Sequence, residues 1–144
     1  MSRFDPKQVS VLINGVLIDD WADGSDVIDA KNATDAGALT VGANGTGVFV
    51  ANPDKSGTAA LKIKQHSSNN KYLAGLMAQQ RNSLKAFTPL TLEIRDLLNE
   101  DVVTGAEGYF TTPPGYTRGN GHNPEVWTMV FVQLDIKLER GLGN

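Results

Sequence analysis

Cysteine is absent from the chain and histidine occurs only twice in 144 residues. The first absence excludes disulfides, thiolate nucleophiles and the common cysteine-ligated zinc sites, and suits a reducing compartment. The second means that a catalytic dyad or a histidine metal site would need both His66 and His122 to converge with a carboxylate. No apolar run is long enough to span a membrane, and no basic-then-apolar leader opens the sequence. Neither membrane insertion nor secretion is therefore expected, and the expected place of synthesis is the cytoplasm. Positive charge is scarce too: 13 Lys and Arg against 16 Asp and Glu leave a formal charge of -3. That balance argues against a protein that grips nucleic acid by neutralising phosphates. It leaves room for one past which nucleic acid slides. Asn32-Ala33-Thr34 and Asn44-Gly45-Thr46 match the glycosylation sequon, which carries no weight without a secretion signal. Internal repeats and low-complexity tracts are absent as well.

What is present, 40% hydrophobic and 20% charged residues, suits one globular domain over residues 1–144 that buries a real core. Residues 9–19 read as a hairpin, with Asn14-Gly15 supplying the pair that a two-residue type I′ turn prefers. A polar segment rich in Asp, Gly and Ala follows, with one short strand candidate at 26–32. Residues 39–57 hold two short apolar strands, Leu39-Thr40-Val41 and Val48-Phe49-Val50, around the glycine-rich tip at 42–47. With the turn Asn52-Pro53-Asp54 behind it, this is read as a projecting hairpin arm. Residues 58–65 alternate Leu61 and Ile63 against Lys62 and Lys64. Ser67, Ser68, Asn69 and Asn70 then offer N-cap chemistry before Tyr72, Leu73, Leu76, Met77, Gln80 and Leu84, whose spacing predicts an amphipathic helix of about four turns. After Pro89, Leu90, Leu92 and Ile94 alternate with Thr91, Glu93 and Arg95. Residues 102–112 form a weaker strand interrupted by Gly105 and Gly108, and a Pro- and Gly-rich loop follows at 113–124.

The closing run, residues 126–139, is the longest strand signal. Its even positions are apolar but for Thr128, which predicts that they face the core. Its odd positions are apolar at Trp127, Met129 and Phe131 and polar at Gln133, Asp135, Lys137 and Glu139. The first half is therefore expected to be covered on both faces and the second half to have one face in water. Such a strand extends about 45 Å, whereas a domain of this size is about 37 Å across. It must bend sharply or run past its own core. Many strands, one helix and no βαβ repetition predict a mainly β, α+β fold: an antiparallel β-sandwich or partial barrel packed by one helix.

Chemistry is sparse. The 42–47 glycine loop leads into a strand, not the helix that a dinucleotide cradle needs, and Lys55-Ser56 lacks the preceding glycine of a phosphate loop. Asp19, Asp20, Asp23, Asp26 and Asp29 lack the full calcium-loop pattern with its terminal Glu, so a solvated acidic loop is the better reading. No catalytic residue, metal ligand or cofactor site is assigned, and the chain is not expected to be an enzyme. Trp21, Phe49, Tyr109, Phe110 and Tyr116 place aromatics on segments that look exposed, as core plugs or as interface anchors.

A sheet-forming domain with an arm, aromatic loops and no catalytic cluster looks made to assemble. The hairpin Val11-Leu12-Ile13-Asn14-Gly15, the 61–70 stretch leading into the helix, and the Trp127–Gln133 strand resemble, in layout and order, the tail tube proteins of contractile-tailed bacteriophages. The resemblance implies homohexameric rings whose sheets join into one continuous β-barrel, stacked to enclose a channel for double-stranded DNA. It also implies a virion tail location, and partners that include the sheath, tape-measure and baseplate proteins, with DNA passing transiently and non-specifically. On that reading Val48, Phe49, Val50, Trp21, Phe110 and Tyr116 make contacts between subunits. The channel would be lined by some of Lys62, Lys64, Glu93, Arg95, Gln133, Asp135 and Lys137. Three alternatives stay open: a tail terminator or baseplate ring component; a monomeric β-sandwich carbohydrate-binding module stacking sugars on Trp21, Tyr116 or Trp127; and a small hydrolase dependent on His66 or His122.

Overall fold

Asn14 (φ 52°) and Gly15 (φ 81°) take up the left-handed backbone that a type I′ turn requires. They fold β1 (Val9–Ile13) back onto β2 (Val16–Ile18) with Ile13 opposite Val16. The computed structural model describes residues 3–138, so Glu139 of the expected final strand lies outside them. After the hairpin come β3 (Ile28–Asn32), β4 (Gly37–Val41), β5 (Gly47–Ala51), β6 (Gly57–Ile63), α1 (Ser68–Asn82), β7 (Leu90–Asp96), β8 (Val102–Thr112) and β9 (Glu125–Lys137). Seven strands form one antiparallel sheet in the order β2-β1-β7-β8-β9-β6-β3, and β4 and β5 pair separately as the arm. The fold is thus mainly antiparallel β with a single α-helix among the described residues.

The large sheet is rolled, and the connection after β2 shows it. β2 and β6 stand five strand spacings apart, about 24 Å across a flat sheet. Yet Trp21, three residues after the end of β2, bridges to Ile63 on β6, and three residues reach at most about 10 Å. The edges must curl toward each other, as twist and strand tilt allow. Two more backbone bonds secure the crossing, from the Ala22 N–H to Lys62 O at 3.0 Å and from the Lys64 N–H to Asp20 O at 2.8 Å.

Inside the curl lies one core: Val11, Ile13, Leu61, Ile63, Leu90, Leu92, Trp127, Met129 and Phe131, with Leu73 entering from α1. Ser67 caps the helix by accepting the Asn69 N–H at 3.1 Å. Polar links then pin it to the sheet. The Tyr72 hydroxyl donates to Ile13 O at 3.2 Å, and the Trp127 indole N–H donates to Asn70 Oδ1 at 3.0 Å. The Gln80 amide both donates to Phe110 O at 2.9 Å and accepts the Phe110 N–H at 2.8 Å. Burial pushes the Tyr72 phenol above its ordinary value, which keeps it a donor. The predicted helix extended to Leu84; the observed one ends at Asn82, and Leu84 is exposed.

Two sequence expectations require correction. In the first half of β9 the odd residues Trp127, Met129 and Phe131 are buried, while Val126 and Val132 are 37% and 58% exposed. The even face is the outer one there, so this half is not covered on both faces. At Leu134 and Ile136 the even residues turn inward, whereas Leu138, expected on the core face, is 76% exposed just beyond the strand. The cause of the inward turn is an extra residue: Phe131 stands opposite Gly57, but the Leu134 N–H bonds to Lys55 O at 2.8 Å, one position out of that register. The bulge switches which parity faces the core. Phe110, expected on an exposed segment, is 5% exposed and packs edge-on against Trp127 with ring centroids 5.8 Å apart. Its ring belongs to the core of its own chain and is not presented to a neighbour.

Candidate assembly surfaces

The arm presents apolar residues on both faces. Leu39 stands opposite Phe49, two positions from Val41, while Val48 and Val50 point the other way opposite Thr40 and Ala38. Leu39, Val41, Val48, Phe49 and Val50 are 57–67% exposed. A lone two-stranded hairpin is marginal in water, and this one gains nothing from burial within its own chain. Its base is tied down well. The Asn52 N–H bonds to Ala36 O at 2.7 Å, and Asn32 Nδ2 donates to Leu134 O at 2.9 Å. Asp54 accepts the Ser56 N–H at 2.8 Å and the Thr34 hydroxyl at 3.3 Å. Those bonds, the Ser56 bond foremost, hold the Asp54 carboxyl below its ordinary value. Beside this base opens a cleft of about 370 Å³ lined by Asn32, Thr34, Asp54, Lys55, Leu134 and Asp135.

A second surface lies on the outer face of β1, β7, β8 and β9. Residues directly opposite across strands share a face, and the register aligns Leu12, Glu93, Thr104 and Asp135 in one row. Ser10, Arg95, Val102 and Lys137 form the next row on the same face. Gln133, opposite Ala106, continues it two residues along β9. Five of the seven expected channel residues therefore share one face, with two acids and two bases interleaved. Arg95 pairs with Glu93, and Lys55 reaches Asp135 at 4.0 Å. The other two lie elsewhere. Lys62 is opposite Val126 at the far end of β9, about 30 Å from Asp135, with its ammonium 2.7 Å from Asp26. That bond holds the Asp26 carboxyl below its ordinary value. Lys64 lies beyond β6, its carbonyl accepting from the Asn70 amide at 2.8 Å.

Of the expected contact aromatics, Trp21 is half-buried against the core and Tyr116 is 82% exposed, with the Arg118 guanidinium 4.1 Å from its ring centroid. With Trp127 buried, Trp21, Tyr116 and Trp127 do not form one open stacking platform. Both histidines meet Gln65: His122 Nε2 accepts the Gln65 N–H at 3.0 Å, and His66 Nε2 lies 3.3 Å from the Gln65 amide nitrogen. Among the described residues no group of three or more His, Cys, Asp or Glu is placed to hold a metal. No described helix is long and apolar enough to cross a membrane.

Sequence reasoning passed over Leu39 and Val41 as contact residues, although they alternate as Val48 and Val50 do. It also missed Val132, because the first half of β9 is apolar at both parities and packing across the sheet, not alternation, turns its even residues outward. Three comparisons with known proteins bear on these surfaces. The family model described as Bacteriophage PhiTE tail tube protein matches residues 9–139. Among solved structures, the anti-feeding prophage cap, described as a tube terminating cap, superposes with a TM-score of 0.61 at 12% sequence identity, covering 96% of this chain and 93% of that chain. At that identity the likeness is one of fold. No curated protein matches the chain significantly.

Proposed function

The chain belongs to the bacteriophage PhiTE tail tube protein family, and from that premise we propose that it is the non-enzymatic building block of a tail's inner tube, assembling into stacked homohexameric rings. The observation that carries the reading beyond its family is the arm, whose two apolar faces have no cover within one chain. A second copy in the same or an adjacent ring would supply that cover. Ring closure also disposes of the free edges of β2 and β3, which would otherwise invite uncontrolled pairing. The outer face carrying Glu93, Arg95, Gln133, Asp135 and Lys137 is the proposed channel lining. Its interleaved charges suit a wall past which double-stranded DNA moves without being held. The tail is contractile on this reading, and the other partners are sheath, tape-measure and baseplate proteins.

Electron microscopy of the purified protein tests this. Stacked rings with an open channel are expected; a protein that stays monomeric at every concentration, with and without its sheath protein, would refute it. A second reading, a terminator at the tube's end, is favoured by the fold shared with a tube terminating cap. A terminator would form single rings that do not stack, so the same images separate the two.

A further inference from the structure

Three Asn-Gly pairs occur in the chain: Asn14-Gly15, Asn44-Gly45 and Asn120-Gly121. Such a pair is open to an internal reaction in which the glycine's backbone nitrogen attacks the Asn side-chain carbonyl carbon. The new C–N bond closes a succinimide as the side-chain amide leaves as ammonia. Water then opens either carbonyl of the ring, leaving aspartate or isoaspartate with no change of oxidation state. Glycine favours the attack because no Cβ shields its nitrogen. A fold suppresses it by tethering the carbonyl or the attacking N–H.

The three pairs differ in their tethers. Asn14 Oδ1 accepts the Thr91 N–H at 2.8 Å and the Thr91 hydroxyl at 3.4 Å, while its own N–H donates to Thr91 O at 3.0 Å. Asn44 Oδ1 accepts the Thr46 N–H at 3.1 Å, and the attacking nitrogen itself is engaged, the Gly45 N–H donating to Gly42 O at 2.9 Å. Asn120 is exposed in the loop before β9. Among the described residues no hydrogen bond reaches its side chain or the Gly121 N–H. Space around it is open as well, since a Cβ on Gly119 or Gly121 would meet no atom within 4 Å.

We propose that Asn120 is a site of spontaneous conversion to aspartate and isoaspartate in the folded protein, and that the fold protects Asn14 and Asn44. The inference does not depend on the tail-tube reading. Its consequence is local. An isoaspartate inserts a backbone methylene two residues before His122, whose Nε2 holds the Gln65 N–H, and adds a negative charge to the loop. The modified chain should release the Gln65 amide.

The test is peptide mass spectrometry of the full-length protein aged at mildly alkaline pH, native and in urea. Trypsin separates the three pairs into peptides 8–31, 32–55 and 119–137. In the last, Asn123 precedes Pro124, which has no N–H to attack. In the folded protein Asn120 should convert at least about tenfold faster than Asn14 and Asn44, as expected when attack elsewhere must first break one or two hydrogen bonds. In urea the three rates should converge, and Asn120→Gln should abolish the shift in peptide 119–137. Native Asn14 or Asn44 keeping pace with Asn120, or an Asn120 that stays intact, would overturn the proposal. Unchanged hydrogen exchange at Gln65 in fully converted protein would overturn the proposed consequence.

Discussion

At the scale of single residues, the two glycines that weakened the strand signal of β8 are the clearest case of a local cue with a distant cause. The Phe131 ring lies across both: a Cβ on Gly105 would come within 2.9 Å of it and one on Gly108 within 2.3 Å. Real Cβ atoms do not approach so closely, so the glycines make room for the ring. Read alone they are interruptions, because nothing local ties them to a phenylalanine on the next strand. Gly108→Ala should destabilise the fold by about 1–3 kcal/mol, the usual effect of overpacking a core. Denaturant titration measures this, and Gly108→Ala with Phe131→Leu should recover part of the loss; a neutral Gly108→Ala would show that the ring can move aside. Asp54 and Asp26 are held by different partners: Asp54 by a neighbour two residues along the chain, Asp26 by Lys62, which lies 36 positions away and is invisible in sequence. Both carboxyls are held below the ordinary value of 3.8, Asp54 by the Ser56 N–H and Asp26 by Lys62. Their stabilisation is therefore present above 3.8 and lost as pH falls through the lower folded values. Protection of the Ser56 amide, its exchange relative to an unstructured amide at the same pH, should fall on acidification below 3.8, and in Asp54→Asn it should already be reduced at neutral pH; a base of the arm that tightens in acid would contradict this.

Among the elements, the β1–β2 hairpin, the arm, the single helix and the long last strand were all legible, because each has a local signal: an Asn-Gly turn, a glycine tip, an N-cap before a helical period, a two-residue alternation. The facing of β9 was not. Its first half is apolar at both parities, so alternation alone does not choose a side, and the bulge before Leu134 reverses the choice midway. Packing decides it, since Trp127 reaches both Phe110 and Asn70 of the helix. The arm makes the complementary case, an element whose local signal is clear and whose stabilising contacts are missing from its own chain. Replacing Val48, Phe49 and Val50 together by Ser, Gln and Ser should change the unfolding free energy of unassembled protein, measured by denaturant titration, by roughly the ±0.5 kcal/mol of ordinary surface substitutions. The same change should abolish sedimentation as rings or tubes. A large loss of monomer stability would mean that the arm packs on its own chain.

For the whole molecule, the rolled sheet gathers residues from β7 and β9 into one charged face; Glu93 and Asp135, 42 positions apart, meet Thr104 from either side. Alternation alone put these residues on polar faces but gave no means of separating them from Lys62 and Lys64, which the β6–β9 register leaves at the other end of β9. The proposed channel role makes a prediction in which the sign of charge decides the outcome. With Glu93 and Asp135 offsetting Arg95 and Lys137, DNA gains little by displacing counterions onto this wall. Glu93→Gln with Asp135→Asn removes two negative charges per chain while leaving strand pairing and core untouched, so assembly should persist. Each phosphate then neutralised contributes about -0.9 to the slope of log affinity against log salt. Assembled variant particles should therefore retain double-stranded DNA at low salt and release it steeply as salt rises, whereas the unaltered protein retains little at either. Co-sedimentation of labelled DNA with the particles measures both. Equal retention by the two proteins at low salt would place this face away from the channel and return the sheath side or solvent as its neighbour.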